Sequence, residues 1–215
     1  MTIYFVRHAS AGQKKLNPKK DEKRPLDADG IRQCTQMGRL LAGMETTVEA
    51  VISSPLKRAT QTAALVANEI GYEGKLNIEA ALHPRAKYTD FREMLRKYSK
   101  ADSLMLVGHN PNFSAFLGQL VAENGSRSYV DMKKGAVAKV ETEQKKFVIQ
   151  WLITPRVATA AAESSIIPPA VQAMKSQNGS GELEIPAEYS RSGKKHKKLI
   201  QTAFTTSSRP KTSRK

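Results

Sequence analysis

The sequence predicts an α/β protein built as a three-layer sandwich, in which helices flank a mostly parallel sheet. Three short apolar runs, at residues 2–6, 49–53 and 103–107, are near-continuous rather than alternating, which is typical of strands buried on both faces. Helix-like segments separate these runs, and two further strand-like runs lie close together within residues 135–153. This alternation predicts a βαβ-type sheet that ends in a hairpin.

The individual elements follow from their terminal residues. Four helices are predicted, over residues 28–42, 55–70, 89–98 and 113–122. The final hairpin is predicted from strands at residues 135–140 and 146–153, with a polar turn at residues 141–144. Asp27 suits the N-cap of the first helix and Pro55 the first turn of the second, because a side-chain oxygen or a fixed φ favours helix entry there. Gly43 and Gly71 mark their ends.

Beyond Pro155 the apolar periodicity fades into a segment that contains Ala, Ser, Pro and Gly. We therefore predict one domain over residues 1–155 and a C-terminal extension over residues 156–215. The extension lacks the apolar content for a core of its own, so we expect it to be largely disordered, with at most a short helix near residues 169–175.

Positive charge is concentrated toward the C-terminus. The whole chain carries a formal charge of +15, and no acidic residue follows Glu188. Such a segment can attract nucleic acid or another polyanion by counterion release, although a solvated tail without a partner explains it as well. A polyanion-binding protein that uses this tail is one alternative function.

Cysteine content and hydropathy indicate the cellular setting. Cys34 is the single cysteine, which excludes an internal disulfide framework and a Cys-based metal site. The apolar run at the N-terminus stops at Arg7, and no uninterrupted apolar stretch reaches the length of a membrane span. We expect a soluble, cytoplasmic protein without a membrane partner.

Cationic and imidazole side chains follow the three predicted strands. Arg7 and His8 come after the first, Ser53 leads to Arg58 after the second, and His109 comes after the third. The carboxyl ends of parallel strands meet at one edge of a sheet, so we expect these side chains to lie together. Guanidinium groups and helix N-termini bind anions, and imidazoles add a nucleophile. A phosphoryl group is the ligand that this combination of side chains favours.

Three motifs at the same positions resemble the histidine phosphatase superfamily, which includes the phosphoglycerate mutases. They are VRHA at residues 6–9, SSPLKRATQTA at residues 53–63 and VGHNP at residues 107–111. The sequence Arg-Pro-Leu at residues 24–26, followed by Gly30, further resembles the SixA-type phosphohistidine phosphatases, a compact branch. The resemblance covers roughly residues 1–154 and implies a phosphoglycerate mutase-like fold without a large cap insertion.

The resemblance also implies roles for four residues. His8 would be the nucleophile, and Arg7, Arg58 and His109 would bind the phosphoryl oxygens and stabilise their charge. No cofactor and no metal would be needed, because the positive pocket supplies what a Mg²⁺ ion would. His8 must be neutral to attack, so we expect a backbone carbonyl or a similar acceptor at its other ring nitrogen.

The general acid is the open point. Ala9 replaces the Gly that often follows the first His, a small change, and Asn110 stands where many relatives place an acid. Glu79, His83 and Asp90 lie in the region where other relatives carry it, and the sequence does not choose among them.

The missing acid suggests the substrate. A phosphorylated imidazole can carry its own proton and leave as neutral imidazole, whereas an alkoxide needs a donor. We therefore predict that the substrate is phosphohistidine on a protein. An open pocket with basic residues near its mouth, such as Arg85 and Lys87, would admit and attract such a large phosphorylated molecule. A phosphatase for small phosphate esters is the nearest alternative. A mutase is less favoured because no long insertion supplies a lid.

Overall fold

The computed structural model describes residues 1–122, 128–144 and 146–165, which form a mixed sheet with helices on both faces. The strands are β1 (Thr2–Arg7), β2 (Ala50–Ser53), β3 (Leu76–Ile78), β4 (Ser103–Gly108), β5 (Val137–Glu143) and β6 (Lys146–Ile153). The helices are α1 (Pro18–Glu22), α2 (Ala28–Gly43), α3 (Lys57–Glu69), α4 (Tyr88–Lys97), α5 (Asn112–Val121) and α6 (Pro155–Ser165), and a 3₁₀ turn covers Ala80–Leu82.

The sheet has the strand order β3-β2-β4-β1-β5-β6. β4 lies between β1 and β2 and is parallel to both, and β3 pairs in parallel with β2. β5 and β6 add an antiparallel hairpin at the β1 side. The predicted α/β sandwich with a largely parallel sheet is therefore confirmed.

Alternation along the central strands divides the core between the two faces of the sheet. Tyr4 and Val6 belong to one cluster, with apolar residues of α2, α3 and α6. Ile3 and Phe5 belong to the other, with residues of α4 and α5. Burial on both faces explains why these strands read as continuous apolar runs.

Asp27 caps α2 as predicted and also ties the helix to the loop that follows β1. Its Oδ1 accepts the Gly30 N–H at 2.7 Å in the first turn. Its Oδ2 accepts the Ser10 hydroxyl at 2.8 Å and the Gly12 N–H at 2.6 Å. One carboxylate therefore satisfies donors of the helix and of the loop.

Several elements differ from the sequence prediction. The predicted turn at residues 141–144 was wrong, because β5 continues to Glu143, which pairs with Lys146. The polar character of this segment reflects exposed side chains at the end of a hairpin. The short elements α1 and β3 were not predicted, because three to five residues carry too little periodicity to be recognised.

Helix α6 begins where the sequence analysis places the end of the domain. Ala158 is buried against the core, and the Thr159 hydroxyl donates to Gln36 Oε1 on α2 at 2.9 Å. The folded part of the chain therefore extends past residue 155. The predicted helix at 169–175 and the rest of the basic extension lie outside the described residues. None of the described helices combines the length and the apolar character that crossing a bilayer requires.

Substitution of Gly30 by alanine is predicted to destabilise the fold. A Cβ atom at Gly30 would lie 1.9 Å from the main-chain oxygen of Ser10, so α2 or the loop would have to move. We expect a loss of roughly 1–3 kcal/mol in the free energy of unfolding. Gly43 is the matched control on the same helix, because its Cβ would meet nothing within 4 Å. Urea unfolding of Gly30→Ala and Gly43→Ala checks this, and equal midpoints would refute it.

Candidate active site

The two predicted histidines meet at the carboxyl ends of β1 and β4. The His8 and His109 ring centroids are 4.8 Å apart, with an interplanar angle of 53°. Both rings line a cavity of 580 Å³ together with Arg7 and Arg58. The structure thus brings together all four residues that the strand-end argument selects, because β4 pairs directly with β1 and β2.

His8 is held as a neutral imidazole with a defined tautomer. Its Nδ1 lies 2.8 Å from the main-chain oxygen of Ala9, which can only accept a hydrogen bond, so Nδ1 carries the proton. The expected backbone acceptor is confirmed, and Nε2 keeps its lone pair. Burial, followed by the charges of Arg58 and Arg7, lowers the pKa of His8 to about 3. The ring is therefore uncharged at neutral pH.

His109 is oriented by a residue that the sequence analysis did not select. Its Nε2 lies 2.8 Å from the hydroxyl oxygen of Ser54, which is fully buried after β2. Burial, followed by the nearness of His8 and Arg58, lowers the pKa of His109 to about 2. Ser54 belongs to the second motif, but no spacing rule distinguishes it from Ser53, which is also buried.

Arg58 extends from the first turn of α3 and is braced by Asp21. Its Nη1 donates to the main-chain oxygen of Asp21 at 2.9 Å and lies 3.4 Å from Asp21 Oδ2. Arg24 Nε donates to Asp21 Oδ1 at 2.9 Å, so one carboxylate serves two guanidinium groups. Asp21 and Arg24 line the cavity as well. Arg24 was predicted only as part of the motif that resembles the SixA-type phosphatases, and Asp21 was not predicted at all.

Arg7 is positioned through the main-chain oxygen of Met132. Arg7 Nη1 donates to this oxygen at 2.6 Å, and Asn110 Nδ2 donates to it at 3.0 Å. The Ser114 hydroxyl donates to Asn110 Oδ1 at 2.8 Å and accepts the Met132 N–H at 3.2 Å. Asn110, which replaces the acid of many relatives, thus fixes the acceptor that orients Arg7.

The cavity has a positive potential. Seven Lys and Arg residues line it against two acidic residues, Asp21 and Glu22. Leu56 and Pro111, the N-cap residues of α3 and α5, lie at its wall. Neither helix has a side-chain cap, so the first amide groups of both add to the positive field. These groups can bind a phosphoryl dianion and stabilise its negative charge. Within the described ranges, no three His, Cys, Asp or Glu side chains are grouped for a metal ion.

Of the three candidate acids, only His83 reaches the cavity. Glu79 Oε1 accepts the Tyr98 hydroxyl at 3.1 Å and is paired with Lys97, and it does not line the cavity. Asp90 Oδ2 accepts the Lys87 N–H at 3.0 Å in the first turn of α4, so it is a capping residue.

His83 accepts the Arg85 N–H on Nδ1 at 3.2 Å, which leaves Nε2 to carry the proton. Burial, followed by the charge of Arg85, lowers its pKa. Glu22 is a second acidic group at the cavity wall, and the sequence analysis did not select it because its short helix α1 was not predicted.

A family model described as the histidine phosphatase superfamily (branch 1) matches residues 3–86, which include His8 and Arg58. The chain belongs to the histidine phosphatase superfamily. Membership implies phosphatase or mutase activity. An uncharacterized protein of Picosynechococcus sp. is 29% identical over 140 residues, which cover 64% of this chain and 82% of that protein. An uncharacterized protein of Mycobacterium tuberculosis is 31% identical over 110 residues, which cover 51% of this chain and 67% of that protein.

Several solved structures share the fold of this chain. The protein histidine phosphatase SixA complexed with tungstate has a TM-score of 0.63 and 21% identity, covering 73% of this chain and 98% of that one. The α-ribazole phosphatase of Shigella flexneri has a TM-score of 0.56 and 16% identity, covering 72% and 97%. Phosphoglycerate mutase of Bacillus anthracis has a TM-score of 0.59 and 13% identity, covering 75% and 96%. The expected phosphoglycerate mutase-like fold is confirmed.

Acidification is predicted to destabilise the fold through His8. The unfolded chain binds a proton on this ring near its ordinary pKa of 6.5, whereas the folded chain does so only at about 3. Because the unfolded state binds more protons between these values, the stability present above pH 6.5 is lost as the pH falls. Between pH 7 and pH 5 the loss due to His8 is about 2 kcal/mol.

Urea unfolding at these two pH values measures the effect. His8→Asn is expected to lose about 2 kcal/mol less than the wild type over the interval. His83→Asn is the control, because it removes a more exposed imidazole of the same cavity. Its loss of stability between the two pH values should stay closer to that of the wild type. Equal losses for His8→Asn and the wild type would contradict the assignment of a buried, neutral His8.

Removal of the Ser114 hydroxyl is predicted to weaken anion binding through Arg7. Ser114→Ala leaves Met132 N–H and Asn110 Oδ1 without their partner, so the Met132 oxygen that orients Arg7 is less well fixed. We expect several-fold weaker orthophosphate binding and a stability loss of roughly 1–3 kcal/mol. Ser103→Ala, which removes a hydroxyl at the other end of β4, is the control. Unchanged phosphate affinity by calorimetric titration in Ser114→Ala would exclude this role.

Proposed function

We propose that this protein is a phosphatase in which Nε2 of His8 takes the phosphoryl group, and that its preferred substrate is phosphohistidine in a protein. The observation that carries the proposal is the 2.8 Å hydrogen bond from His8 Nδ1 to Ala9 O in a cationic cavity. This bond keeps the proton on Nδ1 and leaves the Nε2 lone pair to attack phosphorus. We assign the activity to the domain predicted over residues 1–155, with α6 packed on it.

In the first step the Nε2–P bond forms while the P–N bond to the substrate imidazole breaks. A proton already on the free nitrogen of the substrate ring lets that ring leave as neutral imidazole. Arg7, Arg58 and His109 bind the phosphoryl oxygens in this step. His8 retains its Nδ1 proton, which the Ala9 carbonyl stabilises as the phosphorylated ring gains positive charge.

In the second step water attacks phosphorus and the Nε2–P bond breaks. The electron pair of that bond returns to Nε2, and the proton lost by water stays with the phosphate product. Because Nδ1 is already protonated, His8 leaves as neutral imidazole. Both leaving groups are thus imidazoles that bring their own protons, and neither departure requires a separate acid.

The protein environment supports this substrate preference. Asn110 holds the Met132 oxygen and has no proton to transfer to a leaving group. Glu79 and Asp90 are engaged away from the cavity. A phosphate ester would need a donor for its alkoxide, whereas phosphohistidine does not. The fold shared with the protein histidine phosphatase SixA favours the same class of substrate.

A phosphatase for small phosphate esters is the second candidate. Glu22 and His83 both line the cavity, and either would be placed to donate a proton to an alkoxide. The structural similarity to an α-ribazole phosphatase favours this alternative. The basic extension, on which a polyanion-binding function would depend, lies outside the described residues.

Trapping of a labelled phosphoryl group tests the nucleophile. The protein is mixed with a protein carrying ³²P-labelled phosphohistidine and quenched in alkali, because phosphohistidine is labile to acid. We expect label on the wild type and none on His8→Ala, whose turnover should fall by roughly four orders of magnitude. His83→Ala removes another imidazole from the same cavity and should retain the label. Label on His8→Ala would refute the assignment.

Substrate comparison in the same assay tests the preference. We expect kcat/KM for the phosphohistidine protein to exceed that for sugar phosphates by more than about tenfold, or ~1.4 kcal/mol in transition-state stabilisation. Faster hydrolysis of the sugar phosphates would instead support the small-ester phosphatase.

A further inference from the structure

An exposed apolar side chain stands at the mouth of the cavity. Residues 12–20 are all exposed, and Leu16 is fully exposed within this segment. Leu16 also lines the cavity that contains His8. An exposed leucine alone is common on protein surfaces, so its meaning depends on how the chain around it is held.

The segment of residues 12–17, here called the mouth loop, is held by buried or half-buried charges. Asp27 Oδ2 accepts the Gly12 N–H at 2.6 Å, and Arg24 Nη1 donates to Gly12 O at 3.0 Å. Asp21 Oδ1 accepts the Lys15 N–H at 2.9 Å, directly before Leu16. The same Asp21 accepts a hydrogen bond from Arg24 and pairs with the phosphate-binding Arg58. The contacts that build the site therefore also present Leu16 outward.

Basic residues line the cavity together with Leu16. Lys14 and Lys15 belong to the mouth loop, and Arg85 and Lys134 line the cavity from other parts of the chain. Of the two acidic groups at the cavity, Asp21 is engaged with Arg24 and Arg58. The rim is thus complementary to a surface that carries carboxylates around the phosphoryl group.

We propose that the mouth loop docks the phosphorylated protein, with Leu16 as an apolar anchor and Lys14 and Lys15 facing an acidic surface around the phosphohistidine. This inference rests on the proposed phosphohistidine phosphatase function. An apolar anchor beside a charged rim is the common arrangement of protein interfaces, where few side chains carry most of the affinity. A small phosphorylated compound fills only the inner cavity and gains little from the loop.

Leu16→Ala separates docking from chemistry. Because the Leu16 side chain is fully exposed, this substitution should leave folding intact. We expect kcat/KM for an acidic phosphohistidine protein to fall about tenfold, mainly through KM. Hydrolysis of phosphoramidate, a small compound with a P–N bond, should change much less. Met44→Ala truncates another exposed apolar side chain, at the far end of α2, and should leave both activities unchanged.

Charge reversal at Lys14 and Lys15 is an independent test of the docking role. The double variant Lys14→Glu with Lys15→Glu should lower kcat/KM for the phosphoprotein, with a larger effect at low than at high salt. An equal kcat/KM for the phosphoprotein in Leu16→Ala and the wild type would overturn the docking role while the proposed function stands. An equal fall for phosphoramidate would also overturn it, since the loop would then serve the chemistry. Wild-type protein that hydrolyses phosphoramidate but not the phosphoprotein would overturn the proposed function and the inference with it.

Discussion

Parallel pairing of β4 with both β1 and β2 is the constraint on which the site depends. It places the residues that follow three strands at one edge of the sheet, so the His8 and His109 rings come within 4.8 Å although 100 residues separate them in the chain. Apolar side chains on both faces of these strands fix the register, because a shift of one residue would exchange the faces. The chemistry of the cavity is therefore set by the packing of the core.

Burial of this edge creates an electrostatic problem that the chain resolves by keeping its imidazoles neutral and its guanidinium groups braced. Two imidazolium ions beside Arg7 and Arg58 would repel one another strongly, and burial lowers the pKa of both histidines well below its ordinary value. Asp21 offsets part of the cationic charge through Arg24 and Arg58. The remaining positive field is available to a phosphoryl group.

The sequence predicted the long elements and the four central site residues because these leave strong local signals. Continuous apolar runs marked β1, β2 and β4, and the motifs after them contained His8, Arg58 and His109. Residues that act through tertiary contacts left no such signal. Asp21 lies in a five-residue helix, and its importance depends on arginines that approach it from elsewhere. The choice among Glu79, His83 and Asp90 likewise depended on side-chain directions that spacing does not encode. Helix α6 was missed because its alanine-rich sequence carries few large apolar side chains, and contacts with α2 hold it in place.

Asp27 joins the entry of α2 to the loop after β1 through three hydrogen bonds from one carboxylate. The amide groups of Gly12 and Gly30 share this acceptor group, so neither can be released to solvent without weakening the support of the other. Movement of the loop after β1 and fraying of the first turn of α2 are consequently coupled. The chain thereby ties one part of the cavity wall, at Gly12, to the entry of a core helix.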